Sequence, residues 1–323
     1  MYNRTYTGKI KLAVLDTAGT FCDGPGDLRA RWPKDDLRGC KAPVVPFYEA
    51  LQQFGIECDW AEIRKPMGNF KPTHLRMLLN LPEISAQWEE KYGRHWNEDD
   101  FDAVLAAFRP LMSKYIVDED LAKPIPGAVE CIDKLRAAGI LVGCDTGYYE
   151  EDSLALNKVL EDKYGLKFDV VTNAEKVPGR PAPFMVYDCM LSAYEMTKEA
   201  IPCEAVVKID DTAPGMICGN NAGAWTIGLY ASGSNNYEQL AASKPDFLVP
   251  DVSYVPEIIF GQIEPRLRRG EKPGQGLIET IQGWLINNYT QDPNNSEALW
   301  RIGRGASYHH KKFYNCLRQG GNR

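Results

Sequence analysis

The chain carries the stretch Leu12-Ala13-Val14-Leu15-Asp16-Thr17-Ala18-Gly19-Thr20, in which a continuous apolar run ends at a carboxylate. A short apolar run without polar alternation is typical of a strand buried on both faces, as in a parallel sheet. Asp16 then follows the carboxyl end of that strand, which is where open α/β sheets bind their ligands. The stretch therefore predicts a buried strand that leads directly into a functional loop.

Further apolar runs lie downstream and alternate with helical periodicity. We expect strands at Ile140–Cys144, Phe168–Val171, Ala205–Ile209 and Trp225–Leu229. Helical patterns lie between and beside them, at Gly127–Ala138, Glu150–Tyr164 and Pro183–Tyr194. Strands that alternate with helices of this length predict a doubly wound α/β core with a parallel sheet.

The stretch from about 24 to 121 interrupts this alternation, because its periodicity is helical only. It predicts helices at Val45–Phe54, Trp60–Met67, Pro72–Leu79, Glu83–Tyr92 and Asp99–Tyr115. The preceding Gly24–Gly39 is polar and contains Pro and Gly, so we expect a surface loop there. We therefore expect an α/β core over 1–23 and 122–262, an inserted helical cap over 24–121, and a helical C-terminal extension over 263–323.

Composition restricts the partners that the chain can bind. The net charge of −7 argues against a nucleic-acid partner. No apolar run is long enough to span a bilayer, and no secretory apolar segment follows the first residues. Nine cysteines without a C-x-x-C pair are typical of reduced thiols, which predicts a cytoplasmic protein.

The C-terminal extension differs from the rest in charge. Residues 262–323 contain ten Lys and Arg against five Asp and Glu, a local balance of +5. This bias is compatible with a solvated helical appendage, an oligomerisation element, an extra lid or a site for a polyanionic partner.

Four short segments are expected at the carboxyl ends of the core strands. They are Asp16–Thr20, Thr146-Gly147-Tyr148, Gly179-Arg180-Pro181 and Asp210-Asp211-Thr212. Together they offer a carboxylate nucleophile, a hydroxyl group, a guanidinium and an acidic metal site, which are the groups that phosphoryl transfer requires. In this order and spacing they resemble the haloacid dehalogenase superfamily of phosphoryl-transfer enzymes.

Ala18 departs from the pattern of that superfamily. Its phosphatases and phosphomutases carry a second Asp two residues after the nucleophile, which transfers the proton of a leaving oxygen. The methyl group of Ala18 cannot move a proton. Either the protein is impaired, or its leaving group is not an oxygen.

The run Arg64-Lys65-Pro66-Met67-Gly68, followed by Lys71 and His74, resembles the cap motif of the phosphonoacetaldehyde hydrolase family. That family also has Ala in place of the second Asp, and the resemblance covers about residues 9 to 255. It implies that this chain breaks a carbon–phosphorus bond through a lysine Schiff base and an aspartyl phosphate. It also implies a homodimer joined through the caps.

The resemblance implies a role for each matching residue. Lys71 forms the Schiff base and Asp16 is the nucleophile, while the residues that flank the imine or handle protons are Met67, His74, Tyr148 and Cys40. The residues implied to hold the phosphate group are Thr146, Arg180 and Gly68. Mg²⁺ is implied at Asp16, the Ala18 carbonyl and Asp211.

Several alternatives stay open at this point. Asp210 stands where the family has Gly, and Gly215 where it has a second Asp, so Asp210 is a candidate replacement ligand for the metal. Lys65 is a rival amine. The substrate could be another small carbonyl phosphonate, and a catalytically lapsed binding protein is the alternative from outside the enzymes. A phosphate-ester phosphatase is disfavoured by Ala18.

Overall fold

In the computed structural model, which describes residues 5–23, 26–274 and 279–280, six strands form a parallel sheet. They are β1 (Leu12–Leu15), β2 (Leu141–Thr146), β3 (Val170–Asn173), β4 (Val206–Asp210), β5 (Trp225–Leu229) and β6 (Phe247–Val249). Their order is β3-β2-β1-β4-β5-β6, with every neighbouring pair parallel. All four residues of β1 are buried at the centre of the sheet. The predicted α/β fold is therefore confirmed, and of these six strands the short β6 was not predicted.

Five helices lie between β1 and β2 in the chain. They are α1 (Val44–Gln53), α2 (Trp60–Arg64), α3 (Lys71–Leu79), α4 (Pro82–Tyr92) and α5 (Glu98–Tyr115), which we call the cap helices. Apolar side chains hold them together: the ring of Phe47 on α1 stacks on Phe108 of α5, with 4.2 Å between centroids. A capping box between Asn97 and Asp100 begins α5. All five helices predicted from periodicity are present.

The remaining helices follow the strands of the sheet. They are α6 (Ala128–Ala137), α7 (Glu150–Tyr164), α8 (Phe184–Thr197), α9 (Ala213–Ala222), α10 (Tyr237–Ala242), α11 (Val255–Ile258) and α12 (Glu264–Arg268). Short 3₁₀ turns lie at Cys203–Ala205 and Val252–Tyr254, and a π-helical turn at Ile259–Ile263 joins α11 to α12. This helical run passes residue 262 without a break, and Ile263 and Leu267 are fully buried.

The loop before the cap helices packs closely against them. Trp32 is buried and meets the ring of Tyr115 edge-on at 5.7 Å, and the Arg31 guanidinium lies 4.1 Å above the Trp32 ring. Arg31 also pairs with Asp118, where the chain leaves the cap. The predicted surface loop is thus anchored to the cap helices by an aromatic contact and an ion pair.

The chain divides into two units, Met1–Ile278 and Glu279–Arg323. In the second unit, Glu279–Thr280 form a short strand. Predictions about residues 275–278 and 281–323, including most of the C-terminal extension, lie outside the described residues. None of the helices among the described residues has the length and hydropathy needed to cross a bilayer.

Candidate active site

One cavity brings together most of the residues predicted for the site. Its lining comes from the ends of the strands, from the entry to α1 and from the start of α3: Asp16, Ala18, Pro43, Met67, Gly68, Lys71, Thr146, Gly147, Tyr148 and Arg180. The cavity holds about 20 Å³, which is room for about one water molecule. A carboxylate, an amine and a guanidinium therefore line one small cavity.

Asp16 follows β1 and is paired with Arg180. The Arg180 Nη2 donates hydrogen bonds to Asp16 Oδ1 at 2.5 Å and to Asp145 Oδ1 at 2.7 Å. Burial raises the pKa of Asp16, which Arg180 opposes and the neighbouring Asp210 carboxylate reinforces. Because the guanidinium touches the carboxylate directly, a phosphoryl group that reaches Asp16 also reaches Arg180.

The loop after β2 supplies a hydroxyl and a phenol. Thr146 Oγ1 accepts a hydrogen bond from the Tyr148 backbone N–H at 3.2 Å. The Tyr148 hydroxyl is buried and has no hydrogen-bond partner among the described residues. Burial raises the pKa of Tyr148 well above its ordinary value, so the phenol keeps its proton.

Lys71 is the first residue of the cap helix α3, and its side chain is almost fully buried. Its Nζ is 5.0 Å from the centre of the Tyr148 ring. Burial lowers the pKa of Lys71 to about 8, with Arg180 adding to the effect and Cys40 and Asp16 opposing it. Lys65, the rival amine, is exposed, pairs with Glu62 at 2.5 Å and is not among the residues that line the cavity.

The other residues predicted in the cap occupy three different positions. Met67 lines the cavity, whereas Cys40 and His74 are not among its lining residues. The Cys40 thiol lies 2.8 Å from the Ser234 hydroxyl, and burial raises its pKa to about 12. His74 is completely buried, with Nε2 2.7 Å from the Ile63 carbonyl, and burial lowers its pKa well below the ordinary value.

Three buried carboxylates form the candidate metal site. Asp16, Asp210 and Asp211 each offer an oxygen, and these oxygens lie within 4.8 Å of one another. Burial raises the pKa of Asp211 well above its ordinary value, and the charges of Asp16 and Asp210 add to the shift. Crowded carboxylate oxygens are what a hard divalent cation binds, since the cation offsets their repulsion. The donor set therefore fits a metal ion.

A buried ion network that the sequence reasoning missed lies behind this site. Lys208 on β4 is fully buried, and its Nζ lies 2.7 Å from Asp145 Oδ1 and 2.8 Å from Asp210 Oδ2. Burial by itself favours the neutral amine and would lower the pKa of Lys208. The carboxylates around Lys208 outweigh burial and raise this pKa. Burial alone would raise the pKa of Asp210, but Arg180 and Lys208 outweigh it and the pKa is lowered. A lysine inside the otherwise apolar run Val206–Ile209 was the signal that could have revealed it.

Gly215 explains why this chain can carry Asp210 where the family pattern has Gly. A Cβ at residue 215 would lie 2.0 Å from the Asp210 carboxyl carbon, so the Asp210 carboxylate fills the space that a side chain at 215 would need. Asp in place of Gly at 210 and Gly in place of Asp at 215 are therefore linked. The carboxylate at this point comes from Asp210 at the end of β4 instead of from residue 215 on α9. Asp210 Oδ1 accepts hydrogen bonds from the Thr212 N–H and hydroxyl at 2.9 and 2.7 Å.

Gly68 allows the cap to approach the sheet. It has φ +91°, and a Cβ there would lie 2.4 Å from Thr212 Oγ1, beside the acidic cluster. Gly147 makes the reciprocal approach from the sheet, since its Cβ would lie 2.6 Å from the Asn69 carbonyl oxygen. Any larger residue at either position would hold the two surfaces apart.

Known proteins resemble this chain over most of its length. No protein-family model matches the chain. A phosphonoacetaldehyde hydrolase from Vibrio parahaemolyticus is 34% identical over 289 residues, which cover 82% of this chain and 98% of the relative. One from Syntrophobacter fumaroxidans is 40% identical over 237 residues, covering 72% of this chain and 76% of that protein.

A solved structure is similar over most of the chain as well. The crystal structure of a phosphonoacetaldehyde hydrolase-like protein from Oleispira antarctica has a TM-score of 0.73 and 29% identity, covering 84% of this chain and 99% of that one. The relative from Vibrio parahaemolyticus is more than 30% identical and is covered over nearly its whole length. This similarity shows a shared family and not only a shared fold. This chain belongs to the phosphonoacetaldehyde hydrolase family of the haloacid dehalogenase superfamily.

Proposed function

We propose that this protein hydrolyses phosphonoacetaldehyde to acetaldehyde and phosphate. The observation that carries the proposal is the cavity in which Lys71, Asp16 and Arg180 meet while Ala18 stands in the place of an acid. A carbon leaving group needs an electron sink rather than a proton donor at that place. Lys71 can supply the sink, because an amine condenses with an aldehyde.

The first step forms the Schiff base. The neutral Lys71 amine attacks the aldehyde carbon, and loss of water leaves an iminium that draws electrons from the adjacent C–P bond. A pKa of about 8 keeps roughly a tenth of the amine neutral at pH 7. Because Lys71 is only 3% exposed, little water reaches the imine to reverse this condensation.

The second step transfers the phosphoryl group. A carboxylate oxygen of Asp16 forms the new bond to phosphorus, the C–P bond breaks, and its electron pair enters the enamine. Arg180, Thr146 and Gly68 line the cavity. The Arg180 guanidinium and the Thr146 hydroxyl would bind the phosphoryl oxygens, with the Gly68 backbone beside them. Water then hydrolyses the aspartyl phosphate, while protonation of the enamine carbon and hydrolysis of the iminium release acetaldehyde and free Lys71.

Proton handling falls to the groups around the amine. Tyr148 is a buried, protonated phenol that lines the cavity. Its hydroxyl has no hydrogen-bond partner among the described residues. We assign it the proton exchange with the imine nitrogen and the enamine. Cys40 and His74 do not line the cavity and instead bond to Ser234 and to the Ile63 carbonyl, so we assign them the positioning of Lys71 and of the helix α3 that carries it.

The acidic cluster would hold Mg²⁺ through Asp16, Asp211 and the Ala18 carbonyl. Mg²⁺ at this point would neutralise charge between the Asp16 carboxylate and the phosphoryl oxygens. The Asp210 oxygens are engaged by Lys208 and Thr212, so we assign Asp210 to the support of the site, as the partner that keeps Lys208 charged.

The test is a coupled assay with purified protein, Mg²⁺ and phosphonoacetaldehyde. We expect acetaldehyde and phosphate in equal amounts, and borohydride should trap a substrate adduct on Lys71. Lys71→Arg should abolish both turnover and trapping, while Lys65→Arg, the matched change at the exposed rival amine, should keep both.

The two chemical roles can be separated. Asp16→Ala should stop phosphate release and still allow the imine to be trapped. Phosphate release by that variant would refute the nucleophile assignment. Trapping without turnover in the wild type would indicate a different carbonyl phosphonate as substrate, and neither signal would favour a binding protein.

Two further assignments rest on the family relationship and on the thiols. We propose a homodimer joined through the cap helices, which light scattering on the purified chain would test. We also propose a cytoplasmic location, since all eight cysteines of the described residues are free thiols, as a reducing compartment maintains.

A further inference from the structure

We propose that Arg109 is a positioning residue, which fastens the cap helices to the sheet core and so holds the cavity of Lys71 and Asp16, the reaction cavity, in its closed form. Arg109 lies on the cap helix α5, and its contacts are at the start of the core helix α7. A second contact joins the same two helices. We call the residues of these contacts the latch; they are Arg109, Ser113, Tyr149, Glu151 and Asp152.

The Arg109 guanidinium covers an aromatic ring. Its central carbon lies 3.4 Å from the centre of the Tyr149 ring, and its Nη2 donates a hydrogen bond to Glu151 Oε1 at 2.5 Å. Tyr149 is buried, whereas Glu151 is largely exposed. A cation over a buried ring is worth more than an exposed ion pair, because water screens the ring contact less. The ring of Tyr149 is therefore the main point at which Arg109 holds the core.

The second contact lies one helical turn further along α5. Ser113 Oγ donates a hydrogen bond to Asp152 Oδ1 at 2.7 Å, and Asp152 is buried in the first turn of α7. Residues four apart on α5 lie on one face of that helix, so Ser113 and Arg109 act side by side. A buried carboxylate that lost this hydrogen bond would be destabilised, which favours the closed arrangement.

Tyr149 connects the latch to the reaction cavity. The residue before it, Tyr148, lines that cavity. The Tyr149 ring also meets the ring of Phe70, with 5.5 Å between centroids and 66° between planes, and Phe70 directly precedes Lys71. By fixing this one ring, Arg109 restrains both the loop that carries the phenol and the turn that carries the amine.

The latch joins α5 of the cap to α7 of the core, so movement of the cap away from the sheet would break it. Its strength therefore helps to set the fraction of molecules in which the Lys71 amine is exposed to water. The role of Arg109 in the reaction rests on the proposed function. The latch itself does not, because its evidence is the set of contacts between the two helices.

The test is the rate at which acetic anhydride acetylates Lys71 in the full chain, without substrate, measured by mass spectrometry of peptides. Arg109→Gln should raise this rate about 10-fold, since the ring contact and the ion pair together contribute about that factor to the closed state. The exposed Lys65 should be acetylated at the same rate in both proteins. Lys208, fully buried on β4, should stay protected, because its labelling would report unfolding of the sheet.

Arg76→Gln is the matched control. The Arg76 guanidinium lies 4.2 Å from the centre of the Phe101 ring and donates to Glu98 at 2.6 Å. These are the same two kinds of contact, but both partners lie on the cap helix α5. Arg76→Gln should therefore leave the labelling of Lys71 unchanged. Arg109→Lys, which keeps the charge, should restore part of the protection.

Three results would overturn the latch: equal labelling of Lys71 in the wild type and Arg109→Gln, the same rise in Arg76→Gln, or labelling of Lys208 in parallel with Lys71. A double-mutant cycle tests the route through the ring. Tyr149→Leu should also raise the labelling of Lys71, and adding Arg109→Gln to it should raise it little further. Full additivity of the two changes would show that Arg109 does not act through Tyr149.

Turnover tests the positioning role separately. Arg109→Gln should lower kcat more than it changes KM, because Lys71 and Tyr148 lose their fixed positions while the groups that would bind phosphate are untouched. An unchanged kcat in a variant whose Lys71 is labelled faster would overturn the positioning role. A wild type without turnover would refute the proposed function, and the labelling ratios would still decide the latch.

Discussion

Three lysines of this chain differ in chemistry because their surroundings differ. Lys65 is exposed and paired with Glu62. Lys208 is fully buried between two carboxylates, which raise its pKa and keep it charged. Lys71 is buried without an ion pair among the described residues, so burial dominates and its pKa falls to about 8. Only the last of these can be a neutral amine near neutral pH.

The pKa of Lys71 predicts how activity depends on pH. Since the neutral amine is the reactive form, kcat/KM should rise with pH and level off above about 8. A lysine at its ordinary pKa of 10.5 would be neutral in only roughly 0.03% of molecules at pH 7. The measurement is a pH–rate profile of kcat/KM between about pH 6 and 9.5. A profile that is still rising steeply at the alkaline end of this range would contradict the assignment.

Lys208 predicts a large effect on stability. Lys208→Met should lower the free energy of unfolding by roughly 3 to 5 kcal/mol, because it leaves the buried carboxylates of Asp145 and Asp210 with Arg180 as their one remaining cation among the described residues. Denaturant unfolding measures this change. The control is Lys158→Met, an exposed lysine in a surface ion pair, which should cost under about 1 kcal/mol. Equal effects in the two variants would show that the buried network contributes nothing.

At the scale of elements, the turn from α2 into α3 decides how close the cap comes to the sheet. Lys71 is the first residue of α3, and Gly68 lies three residues before it over Thr212. The amine therefore reaches the strand ends only because this turn lacks a side chain at its closest point. The same applies to the Asp210 carboxylate, which fits only because α9 carries Gly215.

Gly68→Ala tests this contact. The added methyl group would lie 2.4 Å from Thr212 Oγ1 and would require a left-handed backbone at φ +91°. We expect kcat/KM to fall at least 10-fold with the fold retained by circular dichroism. Gly93→Ala is the matched control, since residue 93 also has positive φ and ends α4, and a Cβ added there would meet nothing within 4 Å. It should cost about 1 kcal/mol of stability and leave kcat/KM unchanged.

For the whole molecule, the question is how much of the chain the reaction needs. Every residue that lines the reaction cavity lies within the unit Met1–Ile278. The cavity itself has room for about one water, so we expect the cap helices to move when substrate enters. The residues of the proposed reaction therefore all belong to this unit.

Removal of residues 279–323 should therefore leave an active enzyme. We expect the shortened chain to fold cooperatively and to keep kcat/KM within about 3-fold of the full chain. Thermal unfolding and the acetaldehyde assay measure the two outcomes separately. A folded chain that has lost activity would show that the second unit contributes to the reaction.

The sequence by itself predicted five of the six strands, the insertion of the cap helices between the first two strands, and a carboxylate at the end of β1, Asp16, which we propose as the nucleophile. Those features depend on hydrophobic periodicity and on local motifs, which are properties of neighbouring residues. The cap motif also identified Lys71, although only through its resemblance to a family, since nothing local distinguishes it from Lys65.

Only the tertiary structure decided the environment of those groups. The ion network of Lys208 with Asp145 and Asp210 joins two strands far apart in the chain, so no local pattern specifies it. The exchange between Asp210 and Gly215 likewise looked like a missing ligand until the two positions were seen to share one space. The burial of a group and the charges around it set its pKa. Both depend on how segments distant in the sequence pack together.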